Sequence, residues 1–427
     1  MDETSFPNPK PRRALLIAYK AFADLAGKGS LFVITVAAAR QLSPEAFGVF
    51  SLGSTLGWIV AVVSDCGIQL HLARAVARHP SDAPRLLRTW LRVRLWTAAG
   101  AVAICAIGLA AGRTPAAAPI AVLAVVYACS GLIELLHYFY RGLSRSDLES
   151  SLTLWQRGGT LACGLIALAW KPDVTVVAIA MLIPVAITLA VSLWIATRIT
   201  ERTPEGLHDD SRRADLRVRR WTVFRRDVWP IGAGIVLSAL YFRIDVFLVQ
   251  LWSGTESVAL YNAVFRLVEA LRLFPAAVLA VLLPSLVRAG DLRPLARVAV
   301  PITGFAIAVS AALWVSAGWL IPLLYGAPYA RAVPAFRVLL LSFPLLSLNF
   351  ALTHQLVGWD GQRAYLALCA LALAVNVALN ARLIPLWSIE GAAWATLGTE
   401  IVLTAGCGVS LWIMRAPAPA GQLTAEA

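Results

Sequence analysis

Apolar stretches of membrane-spanning length recur from Leu15 to Met414, and the short segments between them carry arginines that fall almost entirely on alternate sides. A helix crossing the hydrocarbon core of a bilayer needs roughly 20 mostly apolar residues. The chain has 427 residues, 59% of them hydrophobic and only 14% charged, which leaves room for about a dozen such helices and no separate extramembrane domain. The expected class is an all-α polytopic membrane protein.

Spans are expected at 14–40, 44–70, 91–111, 115–140, 148–170 and 174–196, and again at 228–251, 257–287, 298–325, 330–357, 364–384 and 391–414. The polar segment 199–227 is too charged to span anything, so it divides an N-terminal lobe (1–198) from a C-terminal lobe (228–415). Its Arg212, Arg213, Arg217, Arg219 and Arg220 suit either an amphipathic helix lying on anionic headgroups or a partner-binding segment. The Pro- and Ala-rich tail 416–427 is expected to be disordered.

A formal net charge of +13 would suggest nucleic acid in a soluble chain. Here the cations sit between apolar runs, where they set orientation, and no nucleic-acid partner is expected. Lys10, Arg12 and Arg13, the group Arg74 to Arg94, Arg141, Arg145 and Arg157, the segment Arg198 to Arg226, then Arg288, Arg293, Arg297, Arg363 and Arg415 all fall on one side. The other side holds only Arg40, Arg113, Lys171, Arg331 and Arg382. By the positive-inside rule this places both termini in the cytoplasm of a cell whose inner membrane the protein crosses. The first apolar stretch leads straight into a second without a small-residue cleavage site, so the first helix is expected to be its own insertion signal. Six scattered Cys residues show no zinc, redox or disulfide spacing and read as small packing residues.

A faint internal repeat accompanies the two halves. Leu42 to Phe50 and Ser253 to Tyr261 both run through an acid, a small residue three later and an aromatic five later, as expected of equivalent outer turns in a duplicated transporter.

Ionisable groups inside spans cost at least about 2.5–3.5 kcal/mol each and normally face protein or a wet cavity. Lys20, Asp24 and Lys28 repeat every fourth position and so share one stripe of the first helix, which either lines a lumen or snorkels at Lys20 with Asp24 paired to Lys28. In the seventh span Arg243 and Asp245 point about 200° apart, making Arg243 the lumen candidate. In the eighth, Arg266, Glu269 and Arg272 stand at three-residue steps, so Glu269 has a choice of two arginines and one guanidinium is left for an anion. Arg337 and Asn349 on the tenth, Glu134 on the fourth and Glu400 on the twelfth complete the set. Lys20, Lys28, Arg243, Arg266, Arg272, Arg337 and Asn349 are the candidate substrate contacts, and Asp24, Glu134, Glu269 and Glu400 the candidates for a coupling ion. Asp65, near the inner end of the second span, suits a cap or a pair with a loop arginine; Asn376 and Asn380 suit helix–helix hydrogen bonds. Prolines in or near spans, such as Pro184, Pro301, Pro322 and Pro344, permit kinks useful for alternating access.

No phosphate-binding Gly loop, HExxH, paired Cys/His spacing or GxSxG is present, so no cofactor or metal is expected and an enzyme is disfavoured. The linker carboxylates Asp209 and Asp210 are a poor candidate for a membrane glycosyltransferase or polymerase site.

The run Ala39-Arg40-Gln41-Leu42-Ser43-Pro44-Glu45-Ala46-Phe47-Gly48, then Asp65-Cys66-Gly67, Leu72-Ala73-Arg74, Arg243-Ile244-Asp245, Tyr261-Asn262-Ala263, Leu324-Tyr325-Gly326, Asn376 to Asn380, Leu383-Ile384-Pro385 and Gly391 to Thr396 resemble the Wzx-type O-antigen and exopolysaccharide flippases of the MOP transporter superfamily. The likeness covers nearly the whole chain. One departure is Trp387-Ser388-Ile389, where that family often has a Gly before the last outer turn. The resemblance implies a MATE-like fold of two six-helix lobes in a V around a cationic cavity. It further implies translocation of a polyprenyl-diphosphate-linked oligosaccharide between leaflets, with membrane lipids, a polysaccharide polymerase and a chain-length regulator as partners. The competing expectation is a cation-coupled multidrug antiporter of the MATE type, which shares the fold; such pumps are expected to have an acidic or aromatic cavity, and the excess of intramembrane Lys and Arg argues against it.

Overall fold

The computed structural model describes residues 11–112, 116–201, 229–279 and 292–414. Most of the segment expected to be the linker, from 202 on, the tail, the carboxylates Asp209 and Asp210, and the last residues of the expected span 257–287 lie outside them. The described residues are helical throughout, with eleven α-helices: α1 (Pro11–Gln41), α2 (Pro44–Asp65), α3 (Ile68–Arg78), α4 (Ala83–Ala111), α5 (Ala117–Gly142), α6 (Ser146–Trp170), α7 (Val174–Glu201), α8 (Trp229–Leu271), α9 (Arg293–Tyr325), α10 (Val333–Gly358) and α11 (Gln362–Met414). Two compact units result, Met1–Val236 and Leu237–Ala427.

The longest helices, α8 and α11, are not single rods. Gly254 (φ 81°, ψ 177°) interrupts α8 and Ser388 (φ 49°, ψ −126°) interrupts α11. Pairing across each break is antiparallel: Arg243 reaches Glu269 in α8, and in α11 Asn376 reaches Thr399. Each is therefore a helical hairpin, and counted by arm the described residues supply twelve spans of membrane length, as the hydropathy pattern leads one to expect. Gly254 takes its positive φ freely, whereas Ser388 occupies a region that costs a non-glycine residue about 1–3 kcal/mol. Ser388→Gly is expected to stabilise the protein by about 1 kcal/mol, after allowance for the extra freedom of glycine in the unfolded chain, read as a raised Tm in detergent.

In the first unit Ser43 caps α2, accepting the Ala46 backbone N–H at 3.2 Å with Pro44 at the first helical position. Glycines then bring α2 onto α5: a Cβ on Gly57 would stand 2.9 Å from the Tyr127 ring and 3.0 Å from the Leu123 carbonyl oxygen. That close approach is how spans associate when lipid removes the hydrophobic drive between them. Leu72, Val76, Leu135, Leu136, Phe139 and Tyr140 form the packed centre of this unit, and the Tyr140 hydroxyl donates to the Ser192 carbonyl on α7 at 2.6 Å.

Two boundaries differ from expectation. The second span does not run unbroken to 70, because Cys66 and Gly67 both take left-handed backbone angles and α3 starts afresh at Ile68. The Asp65 carboxylate caps that restart, accepting the N–H groups of Gly67 and Gln69 at 3.2 Å each. And α4 begins at Ala83 rather than near 91, so Arg94 is not a loop cation but a completely buried residue of a helix. In the second unit α9 and α11 pack on α10, with Ser310 Oγ donating to the Leu340 carbonyl oxygen at 2.9 Å.

Candidate functional site

The α8 hairpin assembles the densest set of charges in the second unit. Arg243 on the first arm and Arg266 on the second both donate to one oxygen, Oε2 of Glu269, at 2.7 and 2.8 Å. Arg243 is 2% exposed, and its Nη1 donates to Oδ1 of Asn262 at 3.3 Å while the guanidinium lies 4.7 Å from the Phe265 ring centre. Arg272 takes no carboxylate among the described residues; its guanidinium stacks 4.4 Å over the Phe242 ring. Asp245, two residues from Arg243, is equally buried and accepts a hydrogen bond from the Tyr261 hydroxyl, so burial does not set Arg243 apart as the one facing a lumen. Two guanidinium groups thus share a single carboxylate, Glu269, and Arg272 brings a third positive charge to the end of α8. Arranged this way the hairpin offers an anion one unspent, aromatic-backed guanidinium with two paired ones behind it.

Beside the hairpin lies a polar seam between α10 and the arms of α11. Asn349 Nδ2 donates to Glu400 Oε2 at 2.7 Å and to the Glu400 carbonyl at 3.0 Å, and Asn349 Oδ1 accepts from Thr404 at 2.8 Å. One turn and an arm away, Asn376 Nδ2 donates to Thr399 Oγ1 at 3.2 Å, and Asn380 Nδ2 to Asn376 Oδ1 at 2.8 Å. Asn349 and Glu400, read from the sequence as a substrate contact and a coupling group, are therefore neighbours in one network. Tyr241, Phe242, Phe265, Asn376, Thr396, Thr399 and Glu400 line a cavity of about 10 Å³, room for no more than a single water and far below the 300 Å³ or so at which small-molecule pockets begin.

The candidates on the first unit are spread differently. Lys20 donates to both oxygens of Glu149 at 3.1 Å, and Arg141 Nη2 donates to Oε1 of the same carboxylate at 2.5 Å. Asp24 and Lys28 are exposed, and no ion pair joins them, so the three-residue stripe does not pair within itself. Glu134 is exposed on α5 without an ion-pair partner among the described residues. In the second unit Arg337 sits alone and half-buried, its guanidinium 6.0 Å from the Trp314 ring centre and its Nε without a hydrogen-bond partner.

Two groups were not singled out from the sequence as chemically important. Glu149, 5% exposed, had the look of an ordinary first-turn acid; the signal is that Glu149, Leu152, Gln156, Thr160 and Gly164 recur on the buried face of α6. Arg94 likewise continues the stripe Leu87, Trp90, Arg94, Ala98 on α4.

A family model described as polysaccharide biosynthesis protein matches residues 17–289. Comparison with curated proteins by sequence finds no match. Among solved structures, an inward-facing multidrug resistance MATE family transporter of the MOP superfamily is similar with a TM-score of 0.69 at 15% identity, over 93% of this chain and 95% of that one. The lipid II flippase MurJ in an inward closed conformation is similar at 0.66 and 13% identity, over 93% and 87%. A MOP superfamily transporter from Pyrococcus furiosus, described as having a binding pocket of reversed polarity, is similar at 0.57 and 13% identity, over 94% of both. The structural likenesses establish a MATE-like fold, and the matched family model shows that the chain belongs to the polysaccharide biosynthesis protein family of multi-pass membrane proteins.

Proposed function

We propose that the protein is a flippase that moves a polyprenyl-diphosphate-linked oligosaccharide from the inner to the outer leaflet of the cytoplasmic membrane by alternating access, feeding O-antigen or exopolysaccharide synthesis. The observation that carries this is the cationic excess at the α8 hairpin, where Arg243 and Arg266 share one carboxylate and Arg272, just past the end of α8, is paired with none. Dragging a diphosphate and its sugars through about 30 Å of hydrocarbon is prohibitive, so the headgroup needs a wet, positively charged path while the lipid tail stays in the bilayer. Guanidinium forks suit phosphate oxygens. Arg272, free of a carboxylate, is the first diphosphate contact in this scheme, with Lys20, Lys28, Arg243, Arg266, Arg337 and Asn349 as further contacts along the route. Asp24, Glu134, Glu269 and Glu400 are the groups proposed to couple transport to a cation. Both termini lie in the cytoplasm, and a polymerase and a chain-length regulator take over the product; the protein itself makes and breaks no covalent bond.

The direct test is Arg272→Ala in liposomes, scored by loss of a fluorescent polyprenyl-diphosphate oligosaccharide from one leaflet. Translocation is expected to fall about tenfold or more, equivalent to about 1.4 kcal/mol, while unfolding in detergent stays at the wild-type position because no carboxylate loses its partner. Unchanged translocation contradicts the diphosphate role. Multidrug efflux makes the opposite demand: organic cations are repelled by this cluster, so dye efflux is expected to be absent, and robust dye efflux without glycan transport would replace the flippase reading.

A further inference from the structure

Where α6 begins and α7 ends, an open groove of about 400 Å³ lies on the surface of the first unit, lined by Arg145 and Leu148 from the start of α6 and by Trp194, Ile195, Arg198 and Ile199 from the last turns of α7. That volume is in the range of sites that hold small molecules. The lining divides by chemistry into two guanidiniums and four apolar side chains, with no carboxylate among them. Leu148, Ile195 and Ile199 rest on the packed centre that contains Leu136 and Tyr140, so the apolar wall is fixed from behind. The arginines are held more loosely. Arg145 spends Nε and Nη2 on the solvent-accessible Asp147 at 3.1 Å each, and its Nη1 makes no hydrogen bond among the described residues. Arg198 has only Glu201 at 3.7 Å, an ion pair too long for a hydrogen bond, and stands 5.7 Å from the Trp194 ring centre. Pairs between exposed side chains contribute little, and a phosphate that accepts from a guanidinium fork outbids them. Away from the groove, Ile183, Ile187, Val191 and Trp194 are all 41–59% exposed and recur at steps of three and four, so one apolar stripe runs along α7 and ends at Arg198.

We propose that this groove seats one anionic glycerophospholipid of the surrounding leaflet, with Arg145 and Arg198 holding its phosphate and the stripe from Trp194 to Ile183 carrying an acyl chain. The order of the lining sets the occupant: charge at the helix ends, then unbroken apolar surface along the span. A free phosphate leaves the stripe uncovered, and a peptide laid along it carries its backbone into hydrocarbon, where its N–H and C=O groups go unmet. By the arginine bias this end of the first unit is the cytoplasmic one, the side whose leaflet surface is negative. A lipid-linked glycan offers the same phosphate chemistry, but leaflet phospholipid outnumbers it and fills the groove by mass action. One phosphate shared by both arginines bridges the start of α6 to the end of α7. The last turns of α7 gain a fastening there, since the Thr197 and Thr200 hydroxyls bond only to carbonyls of their own helix. The site goes beyond the flippase reading and does not rest on it.

The test uses the full-length protein in nanodiscs doped with phosphatidylglycerol that carries a photoactivatable diazirine beside its headgroup, the labelled residues being mapped by peptide mass spectrometry. Labelling of residues 194–199 is expected to exceed that from the same diazirine on phosphatidylcholine by about fivefold or more, since each arginine near a phosphate favours the anionic lipid. Arg145→Gln with Arg198→Gln changes two exposed side chains and is expected to bring labelling there down to the phosphatidylcholine level, with labelling elsewhere unchanged. Equal labelling by the two lipids in the wild type overturns the site without recourse to any variant, and so does labelling that survives in the double variant. Competitors identify the source of the phosphate. Unlabelled phosphatidylglycerol is expected to displace the label, whereas phosphatidylcholine and inorganic phosphate are not. Displacement by inorganic phosphate, or by a polyprenyl diphosphate at a lower mole fraction than phosphatidylglycerol, overturns the assignment to a leaflet phospholipid.

Discussion

Arg243→Ala is expected to cost about 2–3 kcal/mol of stability and to abolish translocation, the first effect read from unfolding in detergent and the second from the leaflet assay. Breaking one partner out of a buried ion pair usually costs about 3–5 kcal/mol, because a desolvated charge is left behind. Here the figure belongs at the lower end: Glu269 keeps Arg266 at 2.8 Å and its side chain is 34% exposed. What is lost outright is the 2.7 Å bond between the arms of α8, the donor to Asn262 and the contact with the Phe265 ring. Arg243→Lys is not expected to rescue, since an ammonium cannot reach Glu269 and Asn262 with the fixed fork of a guanidinium. The contrast with Arg272→Ala, which is expected to cost transport and not stability, separates the residue that builds the cluster from the one that offers it to an anion.

Asn349→Leu carries the second large effect. Glu400 is 1% exposed, and Asn349 is the side chain that donates to its carboxylate. Leucine at 349 leaves that carboxylate buried without its donor, while Thr404 keeps the Glu400 carbonyl as acceptor at 2.7 Å, an expected loss of about 3–5 kcal/mol. Replacing both residues, Asn349→Leu with Glu400→Leu, removes the orphaned group along with its partner and is expected to recover most of that loss, to within about 1 kcal/mol of the wild type. A double-mutant cycle by chemical unfolding reads the coupling directly. Equal costs for the single and double variants would mean that the seam between α10 and α11 is held by packing alone.

Much of the fold was legible because lipid imposes a simple rule: every backbone group must be satisfied within the segment, so length and hydropathy suffice to place spans. The arms of α8 and α11 fall where apolar runs resume after Gly254 and Ser388. The break at Cys66 and Gly67 was not legible, because hydropathy continues through it and only backbone angles reveal it. In the site, spacing correctly offers Glu269 to Arg266, three residues away on the same helix. It has no means of seeing that Arg243 arrives from the other arm, since that meeting is tertiary. Lys20 shows the same limit: its regular spacing with Asp24 and Lys28 draws attention to the stripe, whereas its actual partner, Glu149, comes from α6. Charge periodicity finds candidates, and packing chooses partners.

The measurement that bears most directly on the central idea is leaflet-to-leaflet transfer of a polyprenyl-diphosphate oligosaccharide by the purified protein in liposomes, run beside Lys28→Ala with Arg272→Ala. Transfer by the wild type, with at least about a tenfold loss in the double variant at unchanged stability, is the expected result. Wild-type liposomes that move no lipid-linked glycan, or a double variant as fast as the wild type, would contradict a cationic route for the headgroup.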